Sequence, residues 1–377
     1  MAGVGKETLS ANVIIYGGGI AGLWILDELR RAGIEAVLLE KRGLGDGQTV
    51  ASQGIIHGGL KYMFDGHVTT SVKAIAEMPA TWRECLAGKR EPNLSGTTVR
   101  SDCCYLWGTG SLKSRVFMAG STIALRAAPE PVEKSDWPAA LREVKGKVMR
   151  VPEQVIDPVS LMQTLAQRNC GRIFSSTDMD THASFFILAA GEGNAELRKS
   201  LGLSENVMQR RPLHMVMARG DLPELFGHCV GGAKPRITVT TARDSAGRTI
   251  WQIGGQIAED GVKMSVQELV KHTANELEEC VPGLDLHGVE ISTYRIDRAE
   301  AATGTGQRPE DVHILKEGNV MTVFPTKLAL APRLAQRVIE EINVQRSTSN
   351  VQLPENWAEP EVAKPPWERE AQWFSAR

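Results

Sequence analysis

Two periods of hydrophobic and polar residues alternate along this chain, and each change of period marks an element. Residues 12–16 carry the short apolar run Val13, Ile14 and Ile15, which reads as a buried strand. Residues 23–32 then place apolar side chains at helical spacing, and residues 36–39 form a second buried strand ended by Glu40. Later runs at 184–191 (SFFILAAG) and 319–324 (NVMTVF) read as strands. Residues 325–342 read as a helix opened by Pro325, whose missing N–H would be unpaired at a helix start anyway. Val68, Val72, Ile75, Met78 and Trp82 recur at helical spacing and predict a helix over 67–86. Residues 213–219, 236–241 and 249–253 predict strands of a mixed or antiparallel sheet. Residues 265–280 predict an amphipathic helix capped by Ser265, with Glu268 three residues on. The tail is rich in proline and tryptophan (Trp357, Trp367, Trp373) and predicts an extended segment wrapping the surface. Docking against a partner subunit is the alternative, because tryptophans seldom stay exposed.

The first strand and helix are joined by Gly17-Gly18-Gly19-Ile20-Ala21-Gly22. Strand, glycine turn, helix and acid-terminated strand together form the context that a dinucleotide site needs. Gly17 permits the tight turn. Gly19 has no side chain, so a pyrophosphate can approach the backbone around Ile20 and Ala21. Gly22 lets the helix pack closely on the sheet. The helix N-terminus offers free N–H groups and partial positive charge to phosphates. Glu40, 18 residues after Gly22, is placed to accept hydrogen bonds from a ribose diol. A carboxylate there repels a 2′-phosphate, which argues against NADP.

Composition narrows the picture. The chain has 377 residues, 42% of them hydrophobic, which is ample for two domains. With 43 basic and 45 acidic residues the net charge is -2, so nothing electrostatic favours nucleic acid. Six cysteines without a CxxC pair lack metal-ligand spacing and are expected as reduced thiols of a cytoplasmic enzyme. No secretory signal is visible, and the apolar stretch 13–26 is broken by glycines and too short for a transmembrane segment.

The unit sits at the extreme N-terminus, as is usual for FAD enzymes. The strand ending in Ala189-Ala190-Gly191 resembles the second signature strand of the glutathione-reductase-type FAD fold. Residues 49–62 (TVASQGIIHGGLKY) resemble the flavin-contacting loop of the D-amino-acid oxidase superfamily. Within it, Ile55-Ile56-His57-Gly58-Gly59-Leu60-Lys61-Tyr62 is most similar to the aerobic glycerol-3-phosphate dehydrogenases. Arg211-Pro212-Leu213-His214 resembles the segment that places a histidine near substrate, and Gly306-Gln307-Arg308-Pro309 the motif whose arginine holds the substrate's anion. Thr326-Lys327-Leu328 resembles the Gly-Lys-Leu segment beside the flavin. Lys61 stands where that family has arginine, and no second substrate arginine occurs between Arg308 and Lys327. These departures argue against glycerol 3-phosphate itself.

The resemblance implies an α/β fold. A Rossmann-type FAD-binding domain is expected over 11–90, 150–205 and 300–345. A substrate domain on a mixed or antiparallel sheet is expected over 91–149 and 206–299, with an extended tail over 346–377. FAD contacts are expected at Gly17, Gly19, Ile20, Ala21, Gly22, Glu40, Lys41, Thr49, Ser52, Gln53, Gly54, Gly58, Ala190, Gly191, Thr326, Lys327 and Leu328. His57 is either a flavin contact or a satisfied core histidine. His214 is the first candidate for general base, Arg308 for the substrate anion, and Lys327 for stabilising negative charge; Lys61 and Tyr62 would line the pocket. Arg298 reads as a structural ion-pair residue. The expected chemistry is hydride transfer from a small anionic substrate, of 2-hydroxy acid or polyol phosphate type, to flavin N5. Oxygen, a quinone or a carrier then serves as electron acceptor. The alternatives are an amine or amino-acid oxidase using oxygen, and a non-catalytic FAD-binding or electron-transfer module.

Overall fold

The computed structural model describes residues 8–58, 70–109, 129–175, 180–231, 234–342, 358–369 and 371–377. Lys61 and Tyr62 lie outside these residues, as do Gly59 and Leu60.

The first sheet runs in the order His313–Glu317, Val320–Phe324, Asp180–Leu188, Thr8–Tyr16, Ala36–Glu40, Ile173–Ser175. Its strands are parallel except His313–Glu317, a hairpin partner of Val320–Phe324. Val13, Ile14 and Ile15 are all fully buried, because apolar layers cover both faces. One layer is built by the helices Ile20–Arg31, Thr70–Leu86, Pro158–Arg168 and Ala331–Glu341. Trp82 packs on Trp24 at 4.8 Å and donates its indole N–H to Ala329 O at 2.9 Å, which ties the helices Ile20–Arg31 and Thr70–Leu86 to the turn just before Ala331–Glu341.

The helix expected from residue 325 starts later. Residues 325–327 are not helical; a 3-10 turn at Leu328–Leu330 leads into Ala331–Glu341, with Pro332 in the first turn. Lys327 N–H bonds Pro325 O at 2.6 Å around Thr326, whose φ is +64°. Such a γ-turn is rare and strained, more so at a β-branched residue. It holds Lys327 in extended backbone at the end of the sheet.

The second sheet has nine strands, ordered Phe374–Ser375, Glu290–Ala301, Met208–Gly220, Thr249–Gly254, Pro235–Arg243, Gly227–Val230, Cys104–Gly108, Met149–Val151, Glu130–Pro131. It is mixed: Gly227–Val230 runs parallel to Cys104–Gly108, and the other pairs are antiparallel. Arg150 therefore belongs to this sheet and not to the first. The helix Val266–Cys280 covers one face through Leu269, Val270, Ala274 and Leu277, packed on Val216, Ala218, Trp251 and Ile253. Its N-terminus carries the full capping box, Ser265 with Glu268.

The two sheets are held together at a seam. Gln53 donates to Thr238 O and Gln252 O, both at 2.9 Å, and Gln252 donates to Ala51 O at 2.7 Å. The tail reinforces the seam. It bridges Leu44 through Val362, buries Trp367 against Met217, Ala242 and Ile250, and ends as the edge strand Phe374–Ser375. Arg219 lies over the Trp373 ring at 4.1 Å. Among the described residues no helix is long and apolar enough to cross a membrane. All six cysteines are free thiols.

Trp367 is only 7% exposed. Trp367→Ala should lower stability by about 3 kcal/mol, the lower end of large aromatic truncations. Urea unfolding measures it; a loss below about 1 kcal/mol would mean that the tail merely rests on the surface.

Candidate functional site

At the C-terminal ends of the parallel strands the backbone is crowded. Gly17 has φ +111°, and a Cβ there would lie 2.5 Å from Ala190 Cα. A Cβ on Gly22 would lie 1.9 Å from Gly17 O. No larger residue fits either position. The helix Ile20–Arg31 starts at Gly19 with no side-chain cap and no acid in its first turn. Its N–H groups therefore point into the turn, where an anion is the natural partner. Ile20 N–H bonds Thr49 Oγ1 at 3.2 Å. Glu40 accepts from Gly18 N–H at 2.6 Å and from Arg42 N–H at 2.8 Å, so its carboxylate closes the turn from the second strand. Lys41 follows it and is exposed. Ser52 Oγ is buried without a hydrogen-bond partner. Gly54 has φ +70° and passes within 2.1 Å, at its absent Cβ, of Ile156 O. Ala190 donates its N–H to Asn194 Oδ1 at 2.8 Å, and Gly191 has φ +58°.

Further along the same loop, His57 reaches a buried carboxylate. His57 Nδ1 and His228 Nε2 stand 3.4 and 3.5 Å from Glu153 Oε2, and Gly58 N–H bonds Glu153 Oε1 at 2.9 Å. Burial pushes the Glu153 carboxyl up, but the two imidazoles override it and hold it well below the usual carboxylate range. Partial desolvation lowers His57, which stays half-exposed, against the pull of Glu153; Lys327 lowers it further.

The second sheet presents alternating side chains. In the pair formed by Met208–Gly220 and Glu290–Ala301, Val216, Ala218 and Ile291 face the helix Val266–Cys280. Residues of the opposite parity face the other way, and Met215 stands with Gln53 beside Gly254. Arg211 and Arg298 belong to this second set and are directly opposite each other. Arg298 bonds Glu259 at 3.4 Å, Arg211 bonds Glu300 at 3.2 Å, and Arg308 lies 3.6 Å from Glu300. Lys234 also bonds Glu259, at 2.6 Å. Four cations thus meet two carboxylates, and Glu300 is only 1% exposed. Arg298 Nε is buried without a partner, and burial plus the neighbouring Arg211 and Arg308 pull Arg298 below the usual arginine range.

The loop carrying Arg308 is pinned at both ends. Gln307 O accepts from Gln209 and from Thr303, each at 2.8 Å. Asp311 O accepts from Thr326 Oγ1 at 2.8 Å, and the Asp311 carboxylate forms a fork with Arg333 at 2.6 and 2.7 Å. The strained turn before Lys327 and the Arg308 loop are therefore one mechanical unit.

His214 departs from expectation. Its position shares parity with Val216, so its ring lies on the helix side of the sheet, 1% exposed. Nδ1 is bonded to Gly261 O and Nε2 to Thr293 Oγ1, both at 2.9 Å. With both nitrogens engaged behind the sheet, it is not offered as a base to the face that carries Arg211. Nothing in the local sequence marks Glu153, His228 or Arg211 as site residues, and Arg298 makes the structural ion pair expected of it, with Glu259. Arg211 and Arg298 become a pair only through strand register. The sole local signal was the alternation Ile296, Arg298, Glu300, which puts two charges on one face.

A glycine-cradled helix N-terminus on a parallel sheet, joined to a mixed sheet with a cationic face, defines a two-domain dinucleotide-dependent oxidoreductase. The chain belongs to the DAO family of FAD dependent oxidoreductases, whose sequence model matches residues 12–309. It is 40% identical, over 96% of its length and 98% of the relative's, to a probable FAD-dependent oxidoreductase of Pseudomonas aeruginosa. The crystal structure of that oxidoreductase matches with TM-score 0.83 at 37% identity, covering 96% of this chain and 98% of that one. Two further structures share the fold. Glycine oxidase from Geobacillus kaustophilus has TM-score 0.60 at 16% identity, covering 88% and 94% of the two chains. L-α-glycerophosphate oxidase from Mycoplasma pneumoniae has TM-score 0.62 at 14% identity, covering 95% and 100%. FAD is thus the cofactor of the family, and the residues present fit it: the turn has room only for backbone, and Ser52 Oγ awaits a partner.

Gly22→Ala should cost at least about tenfold in FAD affinity, because the methyl must displace Gly17 O and with it the phosphate-facing turn. Absorbance of the purified variant at the flavin band reports this; a variant as yellow as the parent would contradict it.

Proposed function

We propose that this chain oxidises a small anionic metabolite at a carbon bearing a hydroxyl group, a 2-hydroxy acid or a polyol phosphate, with Arg308, Arg211 and Arg298 holding the anion. One observation carries this reading. Like charges placed directly opposite on one sheet face destabilise the pair, yet Arg211 and Arg298 stand so, with Arg308 beside the same carboxylates. A ligand that brings two or more acceptor oxygens removes that cost, and guanidinium forks suit carboxylate and phosphate alike.

In this reading the backbone at Gly17, Gly19, Ile20, Ala21 and Gly22 receives the FAD diphosphate, and Glu40 the ribose. Lys41, Thr49, Ser52, Gln53, Gly54, His57, Gly58, Ala190 and Gly191 surround the rest, with Thr326, Lys327 and Leu328 at the far end. When bound, FAD would supply the two-electron acceptor for the substrate's hydride, the hydroxyl proton passing to water. Lys327 supplies positive charge where negative charge develops, which the strained turn keeps in place. Arg308 orients the substrate, and its doubly pinned loop limits the freedom lost on binding. Lys61 and Tyr62 would complete the pocket wall.

An amine in place of the hydroxyl is the second reading. Glu259, beside Arg298 and partly exposed, is a carboxylate able to accept from an ammonium group. Peroxide formed on adding amino acids, or reduction of a quinone or carrier on adding hydroxy acids, separates the two.

Arg308→Ala should keep its FAD and weaken substrate binding by about 1.5–3 kcal/mol, the scale of a charge-assisted contact. The measurement is the substrate concentration that half-reduces the flavin anaerobically. An unchanged value would take Arg308 out of the site.

A further inference from the structure

Glu153 is a buried carboxylate that the oxidation chemistry leaves unexplained. Its side chain is 4% exposed, and Oε2 is sealed from solvent without a hydrogen bond. A buried carboxylate oxygen without a hydrogen bond needs some other partner. The two imidazole nitrogens that face it, at 3.4 and 3.5 Å, are too far for good hydrogen bonds, which run about 2.7–3.2 Å. They match a different geometry. Metal bonds of about 2.0–2.1 Å in a tetrahedral shell put neighbouring ligand atoms about 3.3–3.4 Å apart. The three ligand atoms all lie within 4.8 Å of one another.

The atoms turned away from this point are already fixed. His228 Nδ1 bonds Thr238 Oγ1 at 2.9 Å, and Glu153 Oε1 accepts Gly58 N–H at 2.9 Å. Metal ligands are held in this way, through bonds that set the tautomer and aim the free atom. His57 is 42% exposed, which leaves an open side for entry and for a water ligand.

We propose that His57, Glu153 and His228 form a binding site for a divalent cation of the zinc class. Two imidazoles and one carboxylate suit such an ion, whereas magnesium and calcium favour oxygen ligands alone. The three ligands come from the flavin-side loop at 51–58, from the segment before Val155–Ile156 and from the strand Gly227–Val230. The ion would clamp the first domain to the second sheet. It takes part in no redox step, and the site stands whatever the substrate proves to be.

The test uses the full-length FAD-loaded protein, stripped with a chelator and titrated calorimetrically with Zn²⁺. Co²⁺ titration, followed in the visible, reports the ligand geometry. One Zn²⁺ per chain with a raised thermal midpoint is expected. Glu153→Gln and His228→Gln should weaken binding by at least about 100-fold, and Thr238→Val by about tenfold. No uptake by the parent protein overturns the proposal. So does uptake that is the same in Glu153→Gln, which would mark adventitious surface binding. Should Glu153→Gln not fold, Thr238→Val decides: parent-like affinity in it overturns the site. Zinc-free protein that still binds FAD and is bleached by substrate leaves the redox reading intact, so the two failures are distinguishable.

Discussion

The structure turns on one close approach. Gly17, Gly22 and Ala190 bring three backbone segments together so tightly that a single methyl group would collide. That contact does two things at once. It packs the first helix onto the sheet, and it leaves an N-terminus with no side-chain cap facing the turn, where N–H groups suit a phosphate. Glu40, bonded to Gly18 N–H, then fixes the distance between the turn and the second strand.

The second constraint is the seam. Gln53 and Gln252 exchange bonds between the flavin-side loop and the mixed sheet, and the tail runs across the same boundary through Trp367. A seam of this kind lets one face of the mixed sheet be specialised for charge. The opposite face pays for the sheet's stability with the buried layer around Val216, Trp251 and Leu277. His214 belongs to that stabilising side, bonded to Gly261 and Thr293, while Arg211, three residues earlier, belongs to the cationic side.

Local signals made much of this readable. Residues 12–40 show strand, turn and helix in the sequence because each element is dictated by its own residues, and the capping box at Ser265 and Glu268 is equally local. What was not readable depends on partners far away in the chain. Lys327 was placed in a helix because Pro325 suits a helix start, but Asp311 draws Thr326 into a γ-turn and Pro332 starts the helix instead. The resemblance of Arg211-Pro212-Leu213-His214 says nothing of which sheet face a helix covers, and the fold puts His214 on the covered face, bonded to Gly261 and Thr293. Arg298 forms the structural ion pair expected of it, with Glu259, and strand register also sets it against Arg211. Glu153 and His228 carry no motif at all; only the fold brings them to His57.

If a negatively charged substrate is oxidised beside the cationic sheet face, its charge should decide whether the flavin is reduced. Anaerobic bleaching of the FAD-loaded protein tests it most directly, with pairs of compounds that differ only in charge: hydroxy or amino acids against their amides, and polyol phosphates against the free polyols. The account predicts that at least one anionic member bleaches the 450 nm flavin band and that its neutral counterpart fails to do so at the same concentration. Equal bleaching by charged and neutral members would contradict it.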